Sequence, residues 1–263
     1  MTMIEFTKMH GCGNDFVVID ARNQDVSDFL NDVGGISEAC DRRFGIGCDQ
    51  LIVLQKADKA DIEMIIRNAD GSPAGMCGNA ARCVAAEVIR ETGKKNIDIK
   101  VGDRILNATH NGSNLITVDM GKPEFMGLAD LKVAHLPQAF TVDVGNPHAV
   151  FIVPNADEVD IVEFGPMVEK HPHFPNRTNV EFVSRESDDV LRMRVWERGA
   201  GVTLACGSGA CATAYAAFEQ GIAPRKTRIR MDGGTLSMEI RQGDGHILMS
   251  GPVARVFKGT FKL

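Results

Sequence analysis

Apolar residues recur along the chain in short runs, many alternating with polar ones at period two: IEFTK, FVVID, QLIVLQ, IEMIIR, LITVDM, HAVFIV, VEFVS, VLRMRVW, TRIRM and LSMEI. Such alternation turns one strand face inward and the other outward, so these runs predict a chain dominated by strands. Helical spacing is confined to two places. After Gly78, the apolar Ala81, Val84, Ala85, Val88 and Ile89 share a face and Gly93 supplies a stop. After Gly207, Ala210, Ala214, Ala217 and Phe218 belong to a segment apolar almost all round that ends at Gly221. A helix without a polar face belongs in the centre of a domain. Without a regular strand–helix alternation, the pattern excludes Rossmann and TIM-type folds and predicts an α+β class.

Each predicted helix begins at a cysteine set among small residues, GMCGNAARC around Cys77 and LACGSGACA around Cys206. The two cysteines are 129 positions apart, and at that offset Gln50 falls on Asn179, Met64 on Met193, Asn68 on Glu197, Gly78 on Gly207 and Ala85 on Ala214. Identities are few, but strand, turn, cysteine, glycine and small-residue helix recur in the same order. A Gly-Asn pair also stands near the start of each half, GNDF from Gly13 and GNPHAV from Gly145. The expectation is two related, pseudo-symmetric domains, residues 1–120 and 121–249.

Composition narrows the partners. The 263 residues are 44% hydrophobic and 24% charged, an ordinary globular balance. Net charge is −6 with no tract of like charge, and the most basic stretch, PRKTRIRM, alternates like a solvated strand face, so nucleic-acid binding is not expected. No run approaches the roughly 18 apolar residues of a membrane span, and the first residues lack the charged and apolar regions of a signal peptide. The expectation is therefore a cytoplasmic protein with no membrane partner. Seven cysteines without a CxxC pair suggest neither a disulfide framework nor a zinc ribbon. HPHFP, from His171, offers two histidines and no third neighbour, so no metal site is expected.

A cysteine at a helix start meets unpartnered N–H groups and the positive end of the dipole, and both favour thiolate. The same N–H groups bind a carboxylate. Two such helices at a cleft between the domains would hold one substrate carboxylate and present a sulfur to each face of its α-carbon. Inversion of a stereocentre by proton transfer needs that arrangement, a base on one face and an acid on the other. Cys12, Cys40, Cys83 and Cys211 read as core residues and Cys48 as filler in a glycine turn, because cysteine is a frequently buried residue type. For Cys77 and Cys206 the repeated context outweighs that reading.

GCGNDFVVID, RFGIGCDQL, RNADGSPAGMCGNAARC, VGNPHAVFIV, NRTNVEF and WERGAGVTLACGSGACA, which span Met9 to Ala212, resemble in order the motifs of the diaminopimelate epimerases. The resemblance implies two domains, each a curved, mostly antiparallel sheet around a central helix, with the active site in the interdomain cleft and the last strand, 250–263, returning to the first domain. It implies an isomerase without pyridoxal phosphate or other cofactor, a homodimer, that interconverts LL- and meso-diaminopimelate for lysine and peptidoglycan synthesis. By motif position, Cys77 and Cys206 would be the acid/base pair. Gly78, Asn79, Gly207 and Ser208 would bind the reacting carboxylate, and Asn14, Gln50, Asn68, Asn146, Asn179, Glu197 and Arg198 would line the pocket. His148 and Glu197 would tune the thiols.

Residue chemistry agrees, since a second amino-acid head group needs an acceptor for ammonium and a donor for carboxylate, which Glu197, Arg198 and the amides supply. Three positions depart from the family pattern: Ala80 replaces a glycine, Val202 a glutamate and Cys48 an alanine. The alternatives are a proline or hydroxyproline racemase of the same fold, whose pocket would lack Arg198 and the distal amides, and a non-catalytic thiol protein for redox sensing or metal binding.

Overall fold

The computed structural model describes residues 3–112, 114–133 and 135–262. The chain forms two compact units, one running to Val118 and resuming at Gly251, the other Asp119–Ser250. The first contains β1 (Met3–Gly11), β2 (Asn14–Asp20), α1 (Ser27–Asn31), α2 (Val33–Cys40), β3 (Gln50–Gln55), β4 (Ile62–Asn68), β5 (Pro73–Ala74), α3 (Gly78–Thr92), β6 (Asn96–Val101), β7 (Arg104–His110) and β8 (Leu115–Asp119). The second contains β9 (Glu124–Ala129), β10 (Ala139–Asp143), β11 (Pro147–Ile152), α4 (Ile161–Glu169), β12 (Asn179–Arg185), β13 (Val190–Glu197), β14 (Gly201–Val202), α5 (Gly207–Glu219), β15 (Lys226–Met231), β16 (Gly234–Ile240) and β17 (Ile247–Pro252). Then β18 (Ala254–Lys262) pairs antiparallel with β1.

The two units repeat one pairing scheme. In the first, β2 runs parallel to β3, β3 antiparallel to β4, and β4 parallel to β6, with the short β5 on β4. In the second, β11 runs parallel to β12, β12 antiparallel to β13, and β13 parallel to β15, with the short β14 on β13. Registers match as well: Leu54 faces Met64 in the first unit, and Val183 faces Met193 in the second. The other described pairings are antiparallel, so this is a mostly antiparallel α+β fold with two pseudo-symmetric domains.

In each unit the strands pack around one helix. α3 packs on β1, β2, β4, β6 and β7, and every residue from Gly78 to Ala85 is buried. α5 packs on β10, β11, β12, β13, β15 and β16. A helix enclosed by strands needs the small side chains that the sequence supplies at both starts. Gly93 closes α3 in the left-handed conformation, φ 70°, with its N–H on the Ile89 carbonyl at 2.8 Å.

The apolar pattern located the ten quoted strands and both central helices and passed over the rest. α2 carries Gly34 and Gly35, and α4 carries Gly165 and Pro166, poor helix formers that hide a short helical period. Their starts are instead held by side-chain caps, Asp32 on the Gly35 N–H and Asp160 on the Glu163 N–H, each at 3.0 Å. Among the described residues, no helix is long and apolar enough to cross a membrane.

Candidate active site

Cys77 and Cys206 hold the same structural position in their respective units. Each is the N-cap of its central helix in extended conformation, and each sulfur accepts an N–H from the first turn, Ala80 at 3.4 Å and Gly209 at 3.3 Å. The first backbone bonds within the helices run from Ala81 to Cys77 and from Ala210 to Cys206. Gly78 and Asn79 in one unit, and Gly207 and Ser208 in the other, precede these bonds in the first turn, the end of a helix suited to an anion.

In the first unit the structure brings Asn14 to Cys77. The Asn14 Oδ1 accepts from Asn79 Nδ2 at 3.2 Å and from the Cys77 thiol at 3.7 Å. Its amide nitrogen donates to Asp49 Oδ2 at 2.9 Å. Asp49 and Asp15 are held in turn by Arg42, and Lys8 reaches Asp15 at 2.6 Å. Gln50 and Asn68 face each other at the ends of β3 and β4, with the Gln50 amide donating to Asn68 Oδ1 at 3.1 Å and Asn68 donating to the Ser72 hydroxyl.

The second unit gathers more polar groups around its sulfur. Ser208 Oγ lies 3.4 Å from Cys206 Sγ and accepts from Asn146 Nδ2 at 3.4 Å. The Asn146 Oδ1 is 3.1 Å from His148 Nε2, and His148 Nδ1 is 2.6 Å from Glu181 Oε1. Asn179 is fixed by the Pro147 carbonyl and accepts the Arg198 N–H at 2.9 Å, while the Arg198 guanidinium donates to the Asn176 carbonyl. Glu197 accepts from the Thr203 hydroxyl, and its charge acts on the Cys206 thiol. Burial pushes its carboxyl above the usual range.

Cys206 departs from the sequence expectation. The helix start was expected to favour thiolate, but burial pushes this thiol well up, and the negative charges of Glu197 and Glu181 add to the effect. A first-turn N–H does not outweigh complete desolvation with two carboxylates at hand. The pattern also missed Glu181, Thr203 and Asp49. Glu181 had a visible signal, a lone charge within NVEFVS, a strand whose first six residues are all buried. Of the departures, Ala80 is buried inside α3 and Val202 is half exposed on β14. Cys48 is buried with its sulfur 3.4 Å from that of Cys40. Among the described residues there is no cluster of three or more His, Cys, Asp or Glu suited to a metal.

The sequence model of the diaminopimelate epimerases matches residues 6–126 and 140–256. A diaminopimelate epimerase of Acidiphilium cryptum is 44% identical over 269 residues, covering 97% of this chain and 95% of that protein. One from Bacteroides thetaiotaomicron is 45% identical over 267 residues, covering 99% of each. Among solved structures, a phenazine biosynthesis protein of Bacillus anthracis superposes with TM-score 0.73 at 16% identity over 100% of both chains. A hydroxyproline epimerase of Agrobacterium vitis, with bound trans-4-hydroxy-L-proline, superposes with TM-score 0.75 at 14% identity over 99% of this chain and 91% of that one. These two establish the fold, and the closer sequence matches establish more: the chain belongs to the diaminopimelate epimerase family of isomerases.

Proposed function

We propose that this enzyme interconverts LL- and meso-diaminopimelate without a cofactor, using Cys77 and Cys206 as the two bases on opposite faces of one α-carbon. One thiolate takes the α-proton while the other thiol delivers its proton to the opposite face. The carbon skeleton is unchanged, and the two sulfurs end with their protonation states exchanged. Negative charge that develops at the α-carbon spreads into the carboxylate, where the amides of Gly78, Asn79, Gly207 and Ser208 would receive it. Asn14, Gln50, Asn68, Asn146, Asn179, Glu197 and Arg198 would hold the rest of the substrate, and His148 with Glu197 would adjust the thiols.

The observation that carries this reading is the equivalence of two N-cap cysteines in a chain of this family, each with an amide or hydroxyl group beside its sulfur. The proline or hydroxyproline racemase alternative shares the fold, but its representative is far more distant in sequence than the diaminopimelate epimerases. We also propose a cytoplasmic homodimer; exposed Val256 and Phe257, adjacent at the bulge where β18 pairs with β1, give it an apolar patch.

The test is turnover of LL-diaminopimelate in deuterated water. Product formed at early times should carry solvent deuterium at the inverted carbon while remaining substrate lags, because the incoming proton never comes from the base that removed the first. Substantial protium in early product would sink the two-base mechanism, and absence of meso product would sink the substrate assignment.

A further inference from the structure

The two units part company beside their cysteines. Phe16 faces Gln50 in the first unit where His148 faces Asn179 in the second. Two residues further along the second strand of each pair, Ile52 stands in the first unit and Glu181 in the second, both fully buried. An apolar pair in one unit is thus an imidazole–carboxylate pair in the other, with neither side chain exposed. Burying two such groups is costly unless each is satisfied, and Glu181 Oε2 has no hydrogen-bond partner among the described residues.

Two routes connect this pair to Cys206. One is the hydrogen-bonded line from Glu181 through His148, Asn146 and Ser208 to the sulfur. The other is through space. A Cβ added at Gly209 would lie 2.7 Å from Glu181 Oε1 and 3.3 Å from Cys206 Sγ, so carboxylate and sulfur border the hollow that this glycine leaves, within about 6 Å of each other. At that range a carboxylate disfavours a thiolate.

The other charges near α5 do not offset it. On β13, Glu197 has the same sign, Arg192 is taken by Asp157 and Asp232, and Arg194 donates to the Ala156 and Val159 carbonyls. The acidic Asp143 on β10 accepts the Gly145 N–H, and the charges of β15 and β16 pair as Lys226–Glu239, Arg228–Asp189 and Arg230–Glu186. In the first unit the buried charge has the opposite sign: Arg82, fully buried in α3, works against burial at the Cys12 and Cys83 thiols.

We infer that Glu181 is a positioning residue that orders His148, Asn146 and Ser208 and, by its charge, keeps Cys206 protonated, so that the resting enzyme holds its proton on Cys206 and opens its cycle with Cys77 as base. The order of events rests on the proposed two-thiol chemistry, while the effect on Cys206 does not. The experiment therefore needs no substrate.

Iodoacetamide alkylation of the full-length protein is followed across pH, with Cys77 and Cys206 quantified by peptide mass spectrometry and Cys206 distinguished from Cys211 by fragmentation. In the unmodified sequence, the alkylation midpoint of Cys77 should lie below that of Cys206. Glu181→Gln should lower the Cys206 midpoint by at least one pH unit, about tenfold faster labelling at pH values below it, while Glu181→Asp keeps it within half a unit. A Cys206 midpoint at or below that of Cys77 would overturn the inference, even if Glu181→Gln fails to fold. So would a folded Glu181→Gln protein with an unmoved midpoint, or equal shifts in the Gln and Asp variants. Absence of epimerase activity in the unmodified protein, with these thiol results intact, would count against the substrate reading alone.

Discussion

At the residue scale, the site was legible where chemistry coincides with a helix start and opaque where it depends on a buried partner. Cys77, Cys206 and their small neighbours could be read because N-capping is a local property of the chain. The partners of Glu181 and Asp49 could not, since they arrive from 33 and 35 positions away, although the lone charge of Glu181 within NVEFVS was itself visible. The network that holds Asn14 makes a prediction. Burial alone would raise the Asp15 carboxyl, but hydrogen bonds from Arg42 and Lys8 more than reverse this and leave it at about 2. A depressed carboxyl contributes stability above its unfolded value near 3.8 and loses it as pH falls through the folded value. With its side chain 16% exposed, solvent screening reduces the contribution to roughly 1–2 kcal/mol. In urea titrations Asp15→Asn should cost that amount at pH 6, with the difference from the unmodified protein closing toward zero between pH 4 and pH 2. A difference that stays flat down to pH 2 would remove the ionised Asp15 from the stability of this unit.

At the element scale, strands with an apolar face announced themselves, and elements held by capping or tertiary packing did not. NIDIKV, which became β6, alternates along its whole length and was open to the same reading, whereas in RILNATH, which became β7, exposed Ile105 beside buried Leu106 breaks the alternation. α4 is the clearest case. Its Gly165 backbone lies against Trp196, where an added Cβ would come within 2.5 Å of the indole Cγ. The indole N–H then donates to Glu169 Oε2 at 2.8 Å, and Glu169 Oε1 accepts the Gly199 N–H at 2.9 Å. This helix thereby fixes the turn that follows Glu197 and Arg198. Gly165→Ala should overpack the contact and cost roughly 1–3 kcal/mol. Trp196 is the only tryptophan, so its fluorescence during urea unfolding reports the site directly. The expected result is a lower midpoint with an unchanged slope; an unshifted midpoint would show that α4 can yield without loss.

At the scale of the whole molecule, the internal repeat was legible as an offset of 129 residues because the paired strands β3 and β4 keep one register with their counterparts β12 and β13. What the offset could not carry is the path of the chain end. The first unit is discontinuous: β18 arrives from the far end of the sequence and pairs along β1 from Met3 to His10. It brings Phe257 to 5.8 Å and Phe261 to 6.0 Å from Phe6, and Phe261 to 5.4 Å from Phe29. Aromatic contacts of this kind contribute roughly 0.5–1.5 kcal/mol each beyond area burial. Adding the ladder that β1 would lose, the total approaches the roughly 5–15 kcal/mol by which a whole domain is stable. A chain ending at Ser250 should therefore fail to fold its first unit and leave β1 as an open, aggregation-prone edge. The second unit keeps all of its own strands up to that residue, and it contains Trp196. The truncated protein should lose much of its far-ultraviolet circular dichroism while keeping buried-tryptophan emission, and limited proteolysis should degrade residues before Val118 and spare those after Asp119. If the truncated chain resists protease throughout and melts like the full-length protein, the returning strand is dispensable and the first unit closes without it.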